Sequence, residues 1–175
     1  MFAVLGIDPG LTRCGYGCVG REGGREVALA AGVVTTERER PLPARLAELR
    51  RELTVLVAEL RPSVIVVERV LFQTNARTAM AVGQASGLAL CSAAEAGITV
   101  AEYSANEVKL AVTGYGAASK QQVQRMVAEL LHLDSPPRPP DAADALALAL
   151  CHLACDRVDA ALRSADATLA AGTAP

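Results

Sequence analysis

The N-terminal stretch FAVLGIDPGLTRCGYG, residues 2–17, contains the signal from which the rest of the architecture is predicted. An apolar run leads into GIDPG (residues 6–10), and a second short run begins near Cys14. Apolar residues followed by Asp-Pro-Gly are typical of a buried strand that ends at a tight turn, with a second strand returning beside it. Asp8 is therefore predicted to lie where a core strand reaches the surface. Taken alone, its carboxylate fits turn chemistry as well as metal binding, because aspartate bonds nearby backbone amides in turns.

Length and composition predict one globular domain. The chain has 175 residues, of which 51% are hydrophobic, enough for one sizeable core. We expect this domain to span residues 1–158 and residues 159–175 to form a flexible tail, because the apolar pattern decays after about Asp156. No apolar run approaches the roughly 18 residues of a membrane span, and no basic region precedes an apolar one at the N-terminus. A cytoplasmic location is therefore expected.

Charge and cysteine content narrow the chemistry only slightly. The formal net charge of −2 decides little about nucleic-acid binding, because carboxylates that hold cations contribute to it. The five cysteines are an odd number, which excludes a complete disulfide framework and favours reduced thiols. Only two of the 17 basic residues are lysines, Lys109 and Lys120. An arginine-rich coding bias explains that scarcity equally well, so composition leaves their role open.

The order of predicted elements indicates an α/β domain. Three strands in succession, ending near Thr35, form an antiparallel meander, and a helix with apolar positions between Leu46 and Leu60 follows. The β-branched run Ser63–Glu68 predicts a strand buried on both faces. The remaining predictions are a helix rich in small residues over 74–97, a strand over 98–101, a helix over 105–112, a helix capped by Ser119 and a last helix from Pro140. This series predicts a five-stranded mixed sheet with helices on both faces.

Four carboxylates are predicted to meet at one edge of this sheet. Asp8 and Glu68 end two core strands, and adjacent parallel strands would place both at the same edge. Asp141 and Asp144 lie three residues apart in the first turn of the last helix, so they share one face. The helix dipole accounts for one acid at such a position. Two acids that face the same way indicate a bound cation.

This group of acids predicts phosphodiester hydrolysis. Four like charges in a partly dehydrated site repel one another unless protons or divalent cations offset them. Oxygen ligands without histidine or cysteine suit Mg²⁺ or Mn²⁺. Two such ions roughly 4 Å apart serve the in-line attack of water on a phosphodiester. The sequence therefore predicts a nuclease.

The meander followed by alternating helices and strands resembles the ribonuclease H-like fold, and the motifs resemble the RuvC family of Holliday junction resolvases. These motifs occur in family order and cover about residues 2–155: GIDPG (6–10) with GYG (15–17), ERV (68–70), GQAxG (83–87), VK (108–109), VTG (112–114), KxxV (120–123) and DAADALA (141–147). As a set they are highly specific.

The resemblance implies a homodimer that binds a four-way DNA junction and makes symmetric paired nicks in recombination and repair. It also implies Mg²⁺ as cofactor, with Mn²⁺ able to substitute and two ions per active site. The implied partners further include a RuvAB branch-migration complex, and the helix over 74–97 becomes the candidate dimer interface. The residues matched to metal binding and catalysis are Asp8, Glu68, Asp141 and Asp144, and those matched to the scissile phosphate are Lys109 and Lys120, with Lys120 also catalytic.

One departure from the family pattern concerns the DNA contacts. Family members commonly have an aromatic residue three positions after the strand glutamate, where this chain has Leu71, followed by Phe72. Either Phe72 stacks on an unpaired base or Leu71 acts as an apolar wedge. Arg69 and Arg77 are candidate phosphate contacts, although a solvated surface role accounts for them nearly as well.

Other functions remain open from the sequence alone. The GIDxG hairpin also resembles the phosphate loop of actin-like ATPases and sugar kinases, but these need a second large lobe for which the chain is too short. Another ribonuclease H-like nuclease acting on RNA or branched DNA, and a non-catalytic junction-binding protein, are the remaining alternatives.

Overall fold

The computed structural model describes residues 2–69 and 76–172 of the chain. Its strands are β1 (Ala3–Asp8), β2 (Arg13–Glu22), β3 (Arg25–Thr35), β4 (Val64–Glu68) and β5 (Thr99–Tyr103). Its helices are α1 (Leu42–Leu60), α2 (Ala76–Glu95), α3 (Ala105–Thr113), α4 (Lys120–Leu130) and α5 (Pro140–Gly172). The element order agrees with the one predicted from the sequence. No described helix has the length and hydropathy that crossing a membrane requires.

The five strands form one mixed sheet in the order β3-β2-β1-β4-β5. The meander pairs antiparallel, β1 with β2 and β2 with β3. Gly23 and Gly24, both with positive φ, close the turn between β2 and β3, a conformation that glycine adopts without steric cost. β4 pairs parallel with both β1 and β5. The carboxyl ends of β1, β4 and β5 therefore lie at one edge of the sheet.

Each face of the sheet carries its own apolar core. Because side chains alternate along a strand, Leu5 and Ile7 of β1 pack with α1 and α2. Val4 of the same strand and Val66 of β4 pack with α3, α4 and α5 on the opposite face. The prediction of helices on both faces is confirmed.

Two serine caps fix the starts of α3 and α4. Ser119 accepts a hydrogen bond from the backbone of Gln122, whose side chain accepts one from the Ser119 backbone in return. This is the capping box predicted from the sequence. Ser104 and Glu107 form a second one at the start of α3. The caps place Lys120 in the first turn of α4 and Lys109 in α3, both on the α5 side of the sheet.

α5 lies directly on β1 and β2 because glycines face it. A Cβ added to Gly6 would meet the carbonyl oxygen of Ala145, and one added to Gly15 would meet that of Asp141. At Gly17 an added Cβ would come within 2.6 Å of the Leu146 backbone nitrogen. No side chain separates the helix from the strands at these points, so the helix backbone is positioned by the sheet backbone.

α5 extends past residue 158, where the domain is predicted to end. The helix continues to Gly172 and is 33 residues long, and the domain boundary stays a prediction. Loss of apolar periodicity after Asp156 does not end the helix, because this segment is rich in alanine, the strongest helix former. Flexibility of residues 159–175 stays a prediction.

Replacing Gly15 with alanine is expected to destabilise the protein, because the new methyl group overlaps backbone atoms of α5 that cannot move without lifting the helix. We expect a loss of roughly 1–3 kcal/mol or more, as for overpacked cores. Urea unfolding followed by circular dichroism measures it. Gly116→Ala is the matched control, because an added Cβ there has its nearest neighbour at 3.9 Å. Equal stability of the two variants would refute the close packing.

Candidate active site

A cleft of about 350 Å³ opens where β1 and β4 end. Its charged lining consists of three acids and two lysines contributed by five different elements: Asp8, Glu68, Lys109, Lys120 and Asp144. The rest of the lining is apolar and comes from α3, α4 and α5. The structure thus brings together five of the residues predicted from the sequence.

Strand register places two of the acids side by side. Ile7 pairs with Val67, so Asp8 and Glu68 are the next residues on two neighbouring parallel strands. Asp8 lies four residues after Val4 and Glu68 lies two residues after Val66, so each faces the same side of the sheet as that valine, the side covered by α5. Their carboxylates therefore lie on the α5 side of the sheet, as the predicted strand ends require.

Asp141 takes a different position from Asp144. Asp144 lines the cleft, whereas Asp141 lies at its margin, with its backbone against Gly15. One carboxylate oxygen of Asp141 accepts hydrogen bonds from Arg13, at 2.7 Å from Nη2 and 3.1 Å from Nε. Arg13 was not predicted as a site residue. Arg13 is the first residue of β2. Its contact with Asp141 depends on the position of α5 against the sheet, and spacing along the sequence does not indicate that position.

Burial and mutual repulsion disfavour negative charge in the cleft. Burial, followed by the charges of Asp144 and Glu68, raises the pKa of Asp8 to about 7. Burial and then Asp144 raise the pKa of Glu68. The pKa of Asp144 is also raised, mainly by burial, although Lys120 works against this shift. Three neighbouring carboxyls with raised pKa values form a site that gains stability from a proton or a cation.

Two basic side chains offset part of this charge. Lys120 Nζ lies 2.5 Å from Oδ2 of Asp144; burial works to lower the pKa of Lys120, but the contact with Asp144 outweighs it, and the pKa is raised. For Asp141, partial burial works to raise the pKa, but the hydrogen bond and charge of Arg13 outweigh it, and the pKa is lowered. The two acids of α5 are therefore electrostatically unlike.

The donor set fits a hard divalent cation. Among the described residues, no three acidic, histidine or cysteine side chains already converge as a closed metal cluster. The cleft nevertheless combines three carboxylates that are only partly exposed, and oxygen ligands of this kind suit Mg²⁺ and Mn²⁺. A bound cation would relieve the repulsion that raises their pKa values.

The predicted DNA contacts are placed only in part. Arg69 is exposed beside β5 and α3, where its Nη2 donates to the Glu102 carbonyl at 3.1 Å and its Nη1 lies 3.7 Å from Glu107. Leu71 and Phe72 lie outside the described residues, as does the side chain of Arg77. Their predicted roles stay predictions.

A mixed sheet in this order, with acids at the ends of β1 and β4 and a third on a helix packed against the sheet, defines the class as an enzyme of the ribonuclease H-like fold. The chain belongs to the RuvC family: the family model described as crossover junction endodeoxyribonuclease RuvC matches residues 4–152.

Comparison with individual relatives supports the same family assignment. The chain is 57% identical to the crossover junction endodeoxyribonuclease RuvC of Salinispora arenicola, with 86% of each chain covered. It is 47% identical to that of Syntrophomonas wolfei, over 92% of this chain and 94% of the relative. Among solved structures, Thermus thermophilus RuvC in complex with Holliday junction substrate superposes with a TM-score of 0.86 at 36% identity, over 91% of this chain and 97% of that one.

These findings confirm the predicted family, fold class and enzyme class. The chain is a crossover junction endodeoxyribonuclease. Family membership favours the resolvase hypothesis over an RNA-directed relative, an actin-like ATP-binding protein or a non-catalytic scaffold.

Replacing Asp8 with asparagine is expected to stabilise the metal-free protein at pH 8. Because the pKa rises from 3.8 to about 7 on folding, ionised Asp8 opposes the folded state. This penalty is absent below about pH 4, grows as the pH rises to about 7 and is constant above. We expect a gain of at most about 4 kcal/mol at pH 8, the value that corresponds to the full shift, measured by urea unfolding in a chelator, and no gain at pH 4.

Asp141→Asn is expected to change stability in the opposite direction. The pKa of Asp141 is lowered in the folded protein, so ionised Asp141 contributes stability that is present above its ordinary pKa and is lost as the pH falls. This variant should therefore lose stability at pH 8. A gain in both variants, or in neither, would contradict the electrostatic picture.

Proposed function

We propose that this chain resolves Holliday junctions by metal-dependent paired nicks made at the cleft of Asp8, Glu68 and Asp144, with Asp141 at its margin. The observation that carries the proposal is the convergence of three partly buried acids and two lysines in one cleft. Each comes from a separate element, and the chain is a member of the RuvC family. Asp8, Glu68 and Asp144 would hold the cation, joined by Asp141.

Bound divalent ions, two Mg²⁺ or Mn²⁺ per site, would supply an activated water and stabilisation of the leaving oxygen. The chain's own residues provide the conditions for that chemistry. Partial burial of Asp8 and Glu68 limits competing water, and the rigid strand ends fix both carboxylates before substrate arrives. Preorganised charge of this kind needs no rearrangement during reaction.

The lysines provide positive charge for the phosphate. Lys120 is protonated at neutral pH, since its ordinary pKa is 10.5 and the contact with Asp144 raises its pKa further, and its side chain is 60% exposed. Lys109 lines the same cleft from α3 and works against the raised pKa of Glu68. A lysine attracts a phosphate as a point charge, and two lysines in one cleft can hold the scissile phosphate against the acids.

The substrate proposal follows from the chemistry and the relatives. A Thermus thermophilus RuvC was solved with Holliday junction substrate, which supports four-way junction DNA as the substrate here. Leu71 or Phe72 would contact an unpaired base, and Arg69 and Arg77 would contact phosphates. Arg69 has a side chain that is 50% exposed, and its Nη2 donates a hydrogen bond to the Glu102 carbonyl.

We also propose a homodimer formed through α2. This helix exposes Met80, which is 66% accessible, and an added Cβ at Gly83 or Gly87 would have no neighbour within 4 Å. Open space beside small residues allows close approach of a second helix. Contact with a RuvAB complex and a cytoplasmic location are supported by the family resemblance.

The wild-type chain is expected to nick a labelled four-way junction in Mg²⁺ at symmetric positions on two strands, and Asp144→Asn is expected to reduce this rate at least about 100-fold while junction binding persists. The reason is that the variant removes one ligand without removing cationic surface. Denaturing gels measure cleavage, and mobility shift measures binding.

Asp134→Asn is the matched control, because Asp134 is an exposed acid in the loop before α5 and outside the cleft. It should cleave at the wild-type rate. Linear duplex and an RNA–DNA hybrid test the substrate class. Equal cleavage of linear duplex and junction, or full activity of Asp144→Asn, would contradict the proposal.

Met80→Asp is expected to convert the dimer to a monomer, because a charge would be buried in the interface. Analytical ultracentrifugation over a concentration series measures the association. Val55→Asp is the control: Val55 is 51% exposed on α1, which is not the proposed interface. A dimer that survives Met80→Asp with unchanged affinity would place the interface elsewhere.

A further inference from the structure

Arg13 and Asp141 form an ion pair at the margin of the cleft. Both Nη2 and Nε of the guanidinium donate to the same oxygen, Oδ2, at 2.7 and 3.1 Å. The Arg13 side chain is 45% exposed and that of Asp141 26%. The pair is therefore close but partly hydrated, so it can exchange partners.

The position of this pair matters because Asp141 belongs to the predicted metal-binding set. Its charge contributes to the raised pKa of Asp8, so Asp141 lies within electrostatic reach of the cleft. An oxygen that already accepts two guanidinium hydrogen bonds is a poor ligand for a divalent ion, and a guanidinium beside that ion adds repulsion. Guanidinium and metal therefore compete for Asp141.

We propose that Arg13 is an internal counter-ion that occupies Asp141 in the metal-free protein and must leave it for the divalent cation to bind there. The proposal rests on the proposed function, since it assumes that the cation binds at these acids. Arg13 is a positioning residue in this scheme, because it acts through Asp141. Its two hydrogen bonds orient that carboxylate until the cation replaces the guanidinium.

Arg13 and Lys120 both pair with an acid of α5, but they differ in their position relative to the cleft. Lys120 pairs with Asp144 inside the cleft, where its charge is also available to a phosphate. Arg13 does not line the cleft, and both of its hydrogen bonds to Asp141 go to the same oxygen, Oδ2. Removing Arg13 should therefore change metal binding more directly than phosphate contact.

The test is titration of the DNA-free full chain with Mn²⁺, followed by electron paramagnetic resonance of the free ion. Arg13→Gln is expected to bind Mn²⁺ roughly two- to fivefold more tightly than wild type, the range that partly exposed ion pairs support. The Mn²⁺ affinity of Arg13→Lys should lie between those of wild type and Arg13→Gln, because lysine retains the charge but loses the second hydrogen bond. Arg50→Gln is the control, since Arg50 forms a similar 2.7 Å ion pair with Glu95 on α2 and should leave affinity unchanged.

A double-mutant cycle identifies Asp141 as the point of competition. In an Asp141→Asn background, Arg13→Gln should no longer tighten Mn²⁺ binding. Unchanged or weaker binding by Arg13→Gln alone, or an equal gain in both backgrounds, would overturn the inference while leaving the proposed function intact. Mn²⁺ binding by wild type that is unaffected by Asp8→Asn, or no Mn²⁺ binding at all, would instead overturn the metal site itself and the inference with it.

Discussion

The packing of α5 against bare backbone of β1 and β2 is the constraint on which the site depends. Gly6, Gly15 and Gly17 leave no side chain between helix and sheet. The helix therefore lies at a depth set by backbone contact, which brings Asp144 into the cleft that contains Asp8. A larger side chain at any of these positions would move the acids of α5 away from those of the strands. The glycines thus determine the geometry of the site although none carries a functional group.

This placement opposes stability and favours cation binding for the same reason. The fold holds Asp8, Glu68 and Asp144 together in a partly buried space. Burial raises the pKa of all three, and the charge of Asp144 raises the pKa of Asp8 and of Glu68 further. Their unfavourable charge is relieved by a proton, a basic side chain or a metal ion. Functional sites commonly oppose folding in this way, and the two apolar cores compensate elsewhere in the domain.

The sequence predicted most of the fold and the cleft acids because their signals are local. Asp8 and Glu68 each end a continuous apolar run, so the runs themselves give their positions at the strand ends. The glycines of β1 and β2 are also visible in the sequence. How closely they let α5 approach the sheet depends on tertiary packing, which the sequence does not show. For that reason Arg13 was missed, since its partner is 128 residues away in the chain. No signal in the sequence marks the end of α5 either, because alanine continues a helix without any apolar period.

Asp141 and Asp144 lie three residues apart in α5, but this spacing does not make them equivalent. One turn of helix separates a position over the cleft from one over Gly15, at the margin. At the first position burial raises the pKa of Asp144 despite Lys120, whereas at the second Arg13 outweighs burial and lowers the pKa of Asp141. In the proposed metal site, a cation that entered the cleft would meet three acids whose pKa values are raised and a fourth, Asp141, that is already paired with Arg13. Asp141 would then join the site only by giving up that partner, so its ligation would be the step most sensitive to the surrounding charge.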